Sequence, residues 1–359
     1  MKHRILFVGT SVSGGGAERV FINIINSLDL SKYEVRVFYT CASEKCNIAS
    51  LIPIVFAGKP HMRQALRRLC LLMKEFQPHS VFTSHGTIAY TLPIVRFITR
   101  INFKIYTRVA VTPSEIYETS IKGKLLHCIY PRLYKKMDMV IAQTEYMRQD
   151  IIKSYGLSPQ KVKVIFNLID KDYIGTQSQK PIAENIFKSE FNIIAAGALY
   201  SVKGFDILIE AVTPLIKSDH NIKVRILGEE RYEAGYRNYL QSLIDKNGLH
   251  ENVILMGHKP NPYPYIKASD LFIMSSRTEG FPNVVLEALT LGIPVVASNC
   301  VDFKGIIYEG INGYVVEKNN IESLRIGLKK ALTTSFDMSA ICINNFNYNT
   351  LFLMLEIWV

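Results

Sequence analysis

Two carboxylates stand eight residues apart in the stretch E-G-F-P-N-V-V-L-E-A, Glu279 to Ala288. Pro282 suits the first position of a helix, which then runs from Asn283 to Leu291 and ends at Gly292. On that helix Asn283, Glu287 and Thr290 share one stripe at i, i+4, i+7, and apolar residues fill the rest. So apolar a helix is largely buried. Its polar stripe then lines a cleft, where a carboxylate can accept from two vicinal hydroxyls, because burying it unpaired would cost several kcal/mol. The alternative is a glutamate facing bulk solvent. Glu279 lies outside the helix, in the R-T-E-G-F-P loop after the apolar strand D-L-F-I-M-S-S. The pair is therefore not an acid/base couple on one face.

A cation is placed in similar fashion. Lys203, in A-A-G-A-L-Y-S-V-K-G-F-D, follows a strand and a short loop and precedes a helix start. An ammonium beside a helix N-terminus suits a diphosphate; the alternative is an exposed loop lysine. A glycine-rich turn, V-G-T-S-V-S-G-G-G-A-E-R (Val8–Arg19), also joins a strand to a helix. It is not a P-loop, since Gly15 stands where lysine is required. It is not a dinucleotide fingerprint either, because G-x-G-x-x-G is absent and the second strand ends F-Y-T-C without an acid for a ribose. What remains is a turn that passes close to a ligand or lets helix pack on strand.

These residues need a frame, and the chain supplies one twice. H-R-I-L-F-V-G (3–9), Tyr33–Tyr39, Ser80–Thr83, Lys104–Thr107, Met139–Ala142 and Val162–Phe166 read as strands, with helical patterns between most of them. The polar run from Lys171 into 190 reads as a linker. Strands then resume at F-N-I-I-A-A-G, Val224–Leu227, Val253–Met256, Leu271–Met274 and Pro294–Ala297. The expected organisation is a domain over 1–170, a linker over 171–190, a second domain over 191–335 and a tail over 336–359 that packs back on the first domain. The fold class is α/β, with two parallel sheets whose carboxyl edges face across a cleft. A length of 359 residues and an apolar content of 48% are enough for two cores.

Six cysteines, with no C-x-x-C and no zinc spacing, suit a reducing compartment. The opening M-K-H-R-I-L-F-V-G-T has too few apolar residues for a signal peptide, and no stretch approaches the ~18 needed to cross a bilayer. The expectation is a cytoplasmic protein. Its net charge of +11 is uneven: residues 1–170 hold 24 Lys+Arg against 11 Asp+Glu, and residues 171–359 hold 18 against 20. A basic first half seeks an anionic partner. Asp170-Lys171-Asp172 spells a D-x-D metal motif but falls in the linker, so it is read as coincidence.

The stretch from Glu279-Gly280-Phe281-Pro282 to Glu287-Ala288 resembles the E-x7-E signature of retaining glycosyltransferases of family 4, which have the GT-B fold. The likeness is wider than one motif. Gly14-Gly15-Gly16-Ala17-Glu18 resembles the family's glycine loop, Met139–Glu145 a late strand of its first domain, and Val164–Asp170 its N-x-x-D segment. Gly197–Ala211 resembles its lysine motif, and Leu291–Ala297 resembles the family's next strand, beyond the E-x7-E helix. The resemblance follows the family order over roughly 4–332. It implies that Glu287 holds the ribose hydroxyls of a nucleotide, that Glu279 touches the donor sugar and that Lys203 neutralises the leaving phosphate. Donor contacts would come from Gly15 and Gly16, from Gly280, Phe281, Pro282 and Asn283, and, near the base, from Gly257 and His258. Two positions depart from the family pattern. Ala198 stands where an arginine usually partners the lysine, leaving the diphosphate to Lys203, backbone amides and another base such as Arg277. Arg108 stands where a first-domain strand often ends in histidine, and His85, in T-S-H-G, is the alternative imidazole for catalysis.

The implied activity is transfer of a hexosyl or N-acetylhexosaminyl group from a nucleotide-sugar, a UDP-sugar in the first instance, to a lipid-linked or growing surface polysaccharide such as O-antigen or capsule. No metal or other cofactor is expected, since protein cations and donors take the place of Mg²⁺ on the diphosphate. The competing reading is a non-catalytic nucleotide-sugar or glycan-binding protein on the same fold. Lys59–Phe76 carries an apolar stripe of Met62, Leu66, Leu69, Met73 and Phe76, with Arg63, Arg67 and Lys74 away from it. With Arg96–Arg100, Lys122–Lys124 and Lys135-Lys136 it suits an anionic membrane surface, hence peripheral attachment at the inner face of the membrane. The alternative is packing of that stripe on the sheet. Nucleic acid is not an expected partner, because the cations carry no interleaved aromatic platform.

Overall fold

The computed structural model describes residues 2–10, 16–41, 48–110, 112–114, 129–167, 169–182, 191–219, 221–231 and 233–340. They divide into two compact units at Leu168/Ile169.

Unit 1 is built on a seven-stranded sheet of order β3-β2-β1-β4-β5-β6-β7. The strands are β1 His3–Gly9, β2 Tyr33–Tyr39, β3 Ile54–Phe56, β4 Ser80–Thr83, β5 Lys104–Arg108, β6 Met139–Ala142 and β7 Val162–Val164. All pairings are parallel. The helices are α1 Gly16–Asn26, α2 Met62–Phe76, α3 Gly86–Thr99, α4 Tyr130–Tyr134 and α5 Glu145–Tyr155. Alternation along β1 sends Leu6 and Val8 to one core, with α2, α3 and α5, and Ile5 and Phe7 to the other, beneath α1. Such two-sided burial is why β1 reads as a continuous apolar run.

The apolar stripe of α2 lies in the first core: Met62, Leu69, Met73 and Phe76 are buried and Leu66 is partly buried. Full burial of Leu69 or Met73 contributes about 1.5–3 kcal/mol. The stripe is therefore core, and the membrane-facing alternative for it is set aside. Arg96 is likewise tied inward, donating to Asp138 Oδ2 at 2.8 Å and to the carbonyls of Phe103 and Lys136. α2 and α3 pack together, and the residues they leave exposed include Leu71, Ile94, Phe97 (85% exposed) and Ile98, along with Arg63, Arg67, Arg68, Lys74, Glu75 and, just past α3, Arg100. Lys122–Lys124 lie outside the described residues.

Unit 2 has a six-stranded parallel sheet of order β10-β9-β8-β11-β12-β13. Its strands are β8 Phe191–Ala196, β9 Ile222–Leu227, β10 Val253–Gly257, β11 Leu271–Met274, β12 Val295–Ser298 and β13 Gly313–Val316. Its helices are α6 Lys171–Ser178, α7 Phe205–Ser218, α8 Tyr236–Lys246, α9 Tyr263–Lys267, α10 Asn283–Thr290 and α11 Ile321–Thr333. α7, α8 and α11 cover one face of the sheet.

Residues 171–178, expected as linker, instead form α6. Asp170 caps it by accepting from Tyr173 N at 2.9 Å, and Ile174 and Ser178 are buried where it meets α9 and α10. Asp170 of the Asp170-Lys171-Asp172 pattern is thus the cap of this helix. Residues 183–190 and the tail from 341 onward, including the expected return to the first domain, lie outside the described residues.

Candidate active site

In a parallel α/β sheet the strand order reverses at one place, and ligands bind beyond the carboxyl ends of the strands there. In unit 2 the reversal falls between β8 and β11, which pair at Leu271↔Ile193. The loop after β8 carries Lys203 and the loop after β11 carries Glu279, so topology alone brings them together.

Their contact is an ion pair, Lys203 Nζ to Glu279 Oε1 at 2.5 Å, with about a sixth of each side chain exposed. Ser276 Oγ donates to the same oxygen at 2.9 Å. The lysine loop is fixed on both sides. Ser275 Oγ donates to Lys203 O at 3.0 Å, and Arg277 N donates to Val202 O at 2.8 Å. Gly204 has φ +64°, and a Cβ there would sit 2.2 Å from the Ser275 carbonyl oxygen, so only glycine lets this loop close on β11. The lysine stem runs along Gly197, within 3.2 Å of where a Cβ would be. Burial alone would pull the Lys203 ammonium down, but the Glu279 carboxylate outweighs it and holds it above the ordinary lysine value. The cation is permanent at neutral pH, and two of its three N–H donors remain beyond the one given to Glu279.

Arg277 is committed elsewhere. It donates to both oxygens of Asp206, at 2.9 and 2.7 Å, and to the Ser201 carbonyl. Tyr236 adds a hydrogen bond to Asp206 at 2.9 Å. Burial opposes ionisation of Asp206, and Arg277 outweighs it, holding the carboxyl below its usual range. Arg277 therefore ties α7 to the loop after β11 and, in this arrangement, is no replacement for the arginine that Ala198 lacks. Cys300, close by, is held protonated: burial, reinforced by Glu279, pushes its thiol up to about 12, which excludes it as a nucleophile.

Glu287 lies on α10 and is 4% exposed. Tyr263, from α9, donates to its Oε1 at 3.4 Å. Asn283 and Thr290, the ends of the expected stripe, are half-buried, and Thr290 turns its hydroxyl back to Leu286 O at 2.7 Å. The stripe is thus more enclosed than its spacing implies, with the carboxylate at its most covered point. Pro282 stands just before the helix instead of inside it, and its carbonyl accepts from Val285 N and Leu286 N. Phe281 and Pro282 are buried, and Gly280 is half-buried. Gly257 ends β10 with φ +71° and its carbonyl accepts from Gly228 N, while His258 is exposed. These two lie two strands away from the Lys203–Glu279 pair in the sheet order.

In unit 1 the reversal falls between β1 and β4. Gly15, in the loop after β1, lies outside the described residues, and Gly16 begins α1. His85 follows β4 and precedes α3, its ring edge-on to Phe21 at 5.9 Å. Burial lowers its pKa; Glu18 opposes that and Arg108 adds to it. It is therefore mainly neutral at neutral pH. Arg108 ends β5, 4% exposed, and donates through Nη2 to Asn167 Oδ1. The chain continues from Asn167 Nδ2 to Gln143 Oε1 at 3.1 Å and from Gln143 Nε2 to Val109 O at 2.6 Å. Neither the Arg277–Asp206 clamp nor this amide relay was foreseen. Each joins residues that are far apart in the chain, 71 residues for the first and 59 for Arg108–Asn167. Among the described residues no cluster of three or more His, Cys, Asp or Glu could hold a metal ion, and no helix is long and apolar enough to cross a membrane.

Comparison with known proteins agrees with this architecture. The family described as Glycosyltransferase Family 4 matches residues 14–173, and that described as Glycosyl transferases group 1 matches residues 177–347. An uncharacterised glycosyltransferase of Methanocaldococcus jannaschii is 29% identical over 310 residues, covering 83% of this chain and 75% of its own. The N-acetylgalactosamine-N,N'-diacetylbacillosaminyl-diphospho-undecaprenol 4-alpha-N-acetylgalactosaminyltransferase of Campylobacter jejuni is 28% identical over 340 residues, 90% of this chain and 88% of its own. The crystal structure of Anabaena HepE in complex with UDP and glucose has the same fold, with a TM-score of 0.80 at 20% identity over 98% of both chains. With one family matching each unit in turn and the fold shared along the whole chain, the protein is a glycosyltransferase of the family 4 type, with the GT-B fold.

Proposed function

We propose that this glycosyltransferase moves a sugar from a UDP-sugar to a lipid-linked or growing surface-polysaccharide acceptor, with retention at the anomeric carbon. The observation that carries the reading is the Lys203–Glu279 pair at the strand reversal of unit 2, with the enclosed Glu287 on the helix that follows. Lys203 neutralises the departing diphosphate, Glu279 orients the lysine and meets the donor sugar, and Glu287 takes the ribose hydroxyls. Phe281–Asn283, Gly257 and His258 complete the donor contacts. Gly15 and Gly16, in the glycine loop of unit 1, add donor contacts, His85 serves catalysis, and the rest of unit 1 takes the acceptor. As the bond from the anomeric carbon to the diphosphate oxygen breaks, the acceptor oxygen attacks on the same face and its proton passes to that phosphate oxygen. Such a step needs charge stabilisation more than a covalent nucleophile. A fixed ammonium supplies it, so activity is expected to survive EDTA.

The complex of HepE with UDP and glucose supports the choice of donor. The diphospho-undecaprenol and alpha-linkage in the name of the Campylobacter relative support a lipid-linked acceptor and retention. The basic and apolar outer faces of α2 and α3 support attachment to an anionic membrane surface from the cytoplasmic side. The experiment is a heat-shift screen of UDP-, GDP- and ADP-sugars, followed by turnover of radiolabelled donors with membrane extract. A shift with UDP-sugars that Glu287→Ala abolishes is expected. A donor-bound protein with no turnover on any acceptor would leave the binding-protein reading in its place, and Glu287→Ala with full activity would remove the ribose assignment.

A further inference from the structure

Buried polar atoms in folded proteins are nearly always hydrogen-bonded, and each exception calls for a ligand, a water or a role. Among the described residues, seven buried side-chain atoms have no partner, and four of them fall at the ends of two adjacent strands: Ser84 Oγ and His85 Nδ1 after β4, and Thr107 Oγ1 and Arg108 Nη1 on β5. β4 and β5 pair in register at Thr83↔Thr107, so Ser84, His85 and Arg108 stand at one stretch of the sheet's carboxyl edge, with the Thr107 side chain on the opposite face from Arg108. Arg108 is the decisive member. Arg108 is 4% exposed and borders a narrow, mainly apolar cleft lined by Val20, Phe82, Ile141, Phe166 and Asn167. One arm is held by a neutral amide, and the other has no acceptor. A buried guanidinium presenting a fixed fork is matched by a planar or tetrahedral oxyanion, through paired charge-assisted hydrogen bonds.

We infer that the carboxyl edge of β4 and β5 binds an oxyanion of the glycan acceptor, a sugar carboxylate or a linkage phosphate, with Arg108 Nη1 as its principal donor. Asn167 and the Gln143 relay hold the guanidinium plane from behind, and the Ser84 hydroxyl and His85 lie at the same edge. The inference rests on the reading above that unit 1 takes the acceptor, and it narrows that acceptor to one bearing negative charge near the transferred position.

The test is ligand-observed NMR on the full chain with three probes: methyl β-glucuronide and the neutral methyl β-glucoside, read by saturation transfer, and inorganic phosphate, read by ³¹P line broadening. The wild type is expected to bind one of the two anions and not the neutral sugar, and which anion binds separates carboxylate from phosphate recognition. Arg108→Gln should weaken that binding at least about tenfold while UDP affinity and far-UV circular dichroism are unchanged. Should Arg108→Gln fail to fold, Asn167→Asp gives the guanidinium an internal carboxylate and should displace the external anion to the same extent. The inference is overturned if neither anion binds the wild type, or if the variants bind it as the wild type does; a buried water would then occupy Nη1. UDP binding is read in the same samples, so loss of UDP binding by the wild type marks failure of the donor reading instead.

Discussion

The two sheet edges of this enzyme are built from the same parts and balanced in opposite ways. At the edge of unit 2 both cations answer to a carboxylate: Lys203 to Glu279 and Arg277 to Asp206. At the edge of unit 1 the buried cation answers to an amide, and the histidine beside it is neutral. A paired edge has little electrostatic work left before a ligand arrives, and its geometry is fixed in advance. An unpaired edge holds its charge in reserve, at a cost in stability that a ligand can relieve. The first arrangement suits a group whose charge grows during reaction, the second a group whose charge is already present on binding.

The widest separation between the edges should come from turnover. Lys203→Ala removes the cation proposed to meet the leaving group and is expected to lower kcat by about 10²–10³, with donor KM changed far less; unchanged turnover would dissolve the distinction. Next in size is stability. Asp206→Asn leaves Arg277 without its counter-charge and should cost about 1–2 kcal/mol, given that the pair is partly exposed, read as a lower Tm. Because the Asp206 pKa is lowered by folding, its stabilisation is complete above the ordinary value near 3.8 and is lost as pH falls through the lower folded value. Wild type and variant should therefore converge in acid. The smallest effect belongs to His85. Folding lowers its pKa below 6.5, so the unfolded chain binds the extra proton and stability falls as pH drops below 6.5. His85→Asn should flatten the slope of Tm between pH 5 and 7, and an unchanged slope would mean that the imidazole titrates freely.

Much of this was legible in the residues. Strands buried on both faces announce themselves as apolar runs, and β1, β4, β6 and β11 fall where those runs are, while β2 is read from its alternation. β3 and β13 are edge strands of three and four residues, with no run long enough to read. α6 was hidden by composition: K-D-Y-I-G-T-Q-S is polar and contains Gly175, and it is helical because Asp170 caps it and Ile174 has a core to enter. In the site, Lys203, Glu279 and Glu287 could be named from local grammar, since each sits at a strand end or on an apolar helix. What they touch could not. The Lys203–Glu279 pair depends on β8 and β11 being neighbours, which no window of sequence records. Arg108 was visible as an odd residue at a strand end, and its missing partner appears only when four strands are in place around it.

The span between Lys203 and Glu279, 76 residues of chain, sets a schedule as well as a geometry. Parallel strands are joined by crossovers, so their pairing closes large loops and comes late in folding. The ammonium meets its carboxylate only after β8 and β11 have docked. A newly made chain whose sheet is still incomplete therefore lacks the Lys203–Glu279 pair, and on the role proposed for that pair a nucleotide-sugar met at that stage is not turned over.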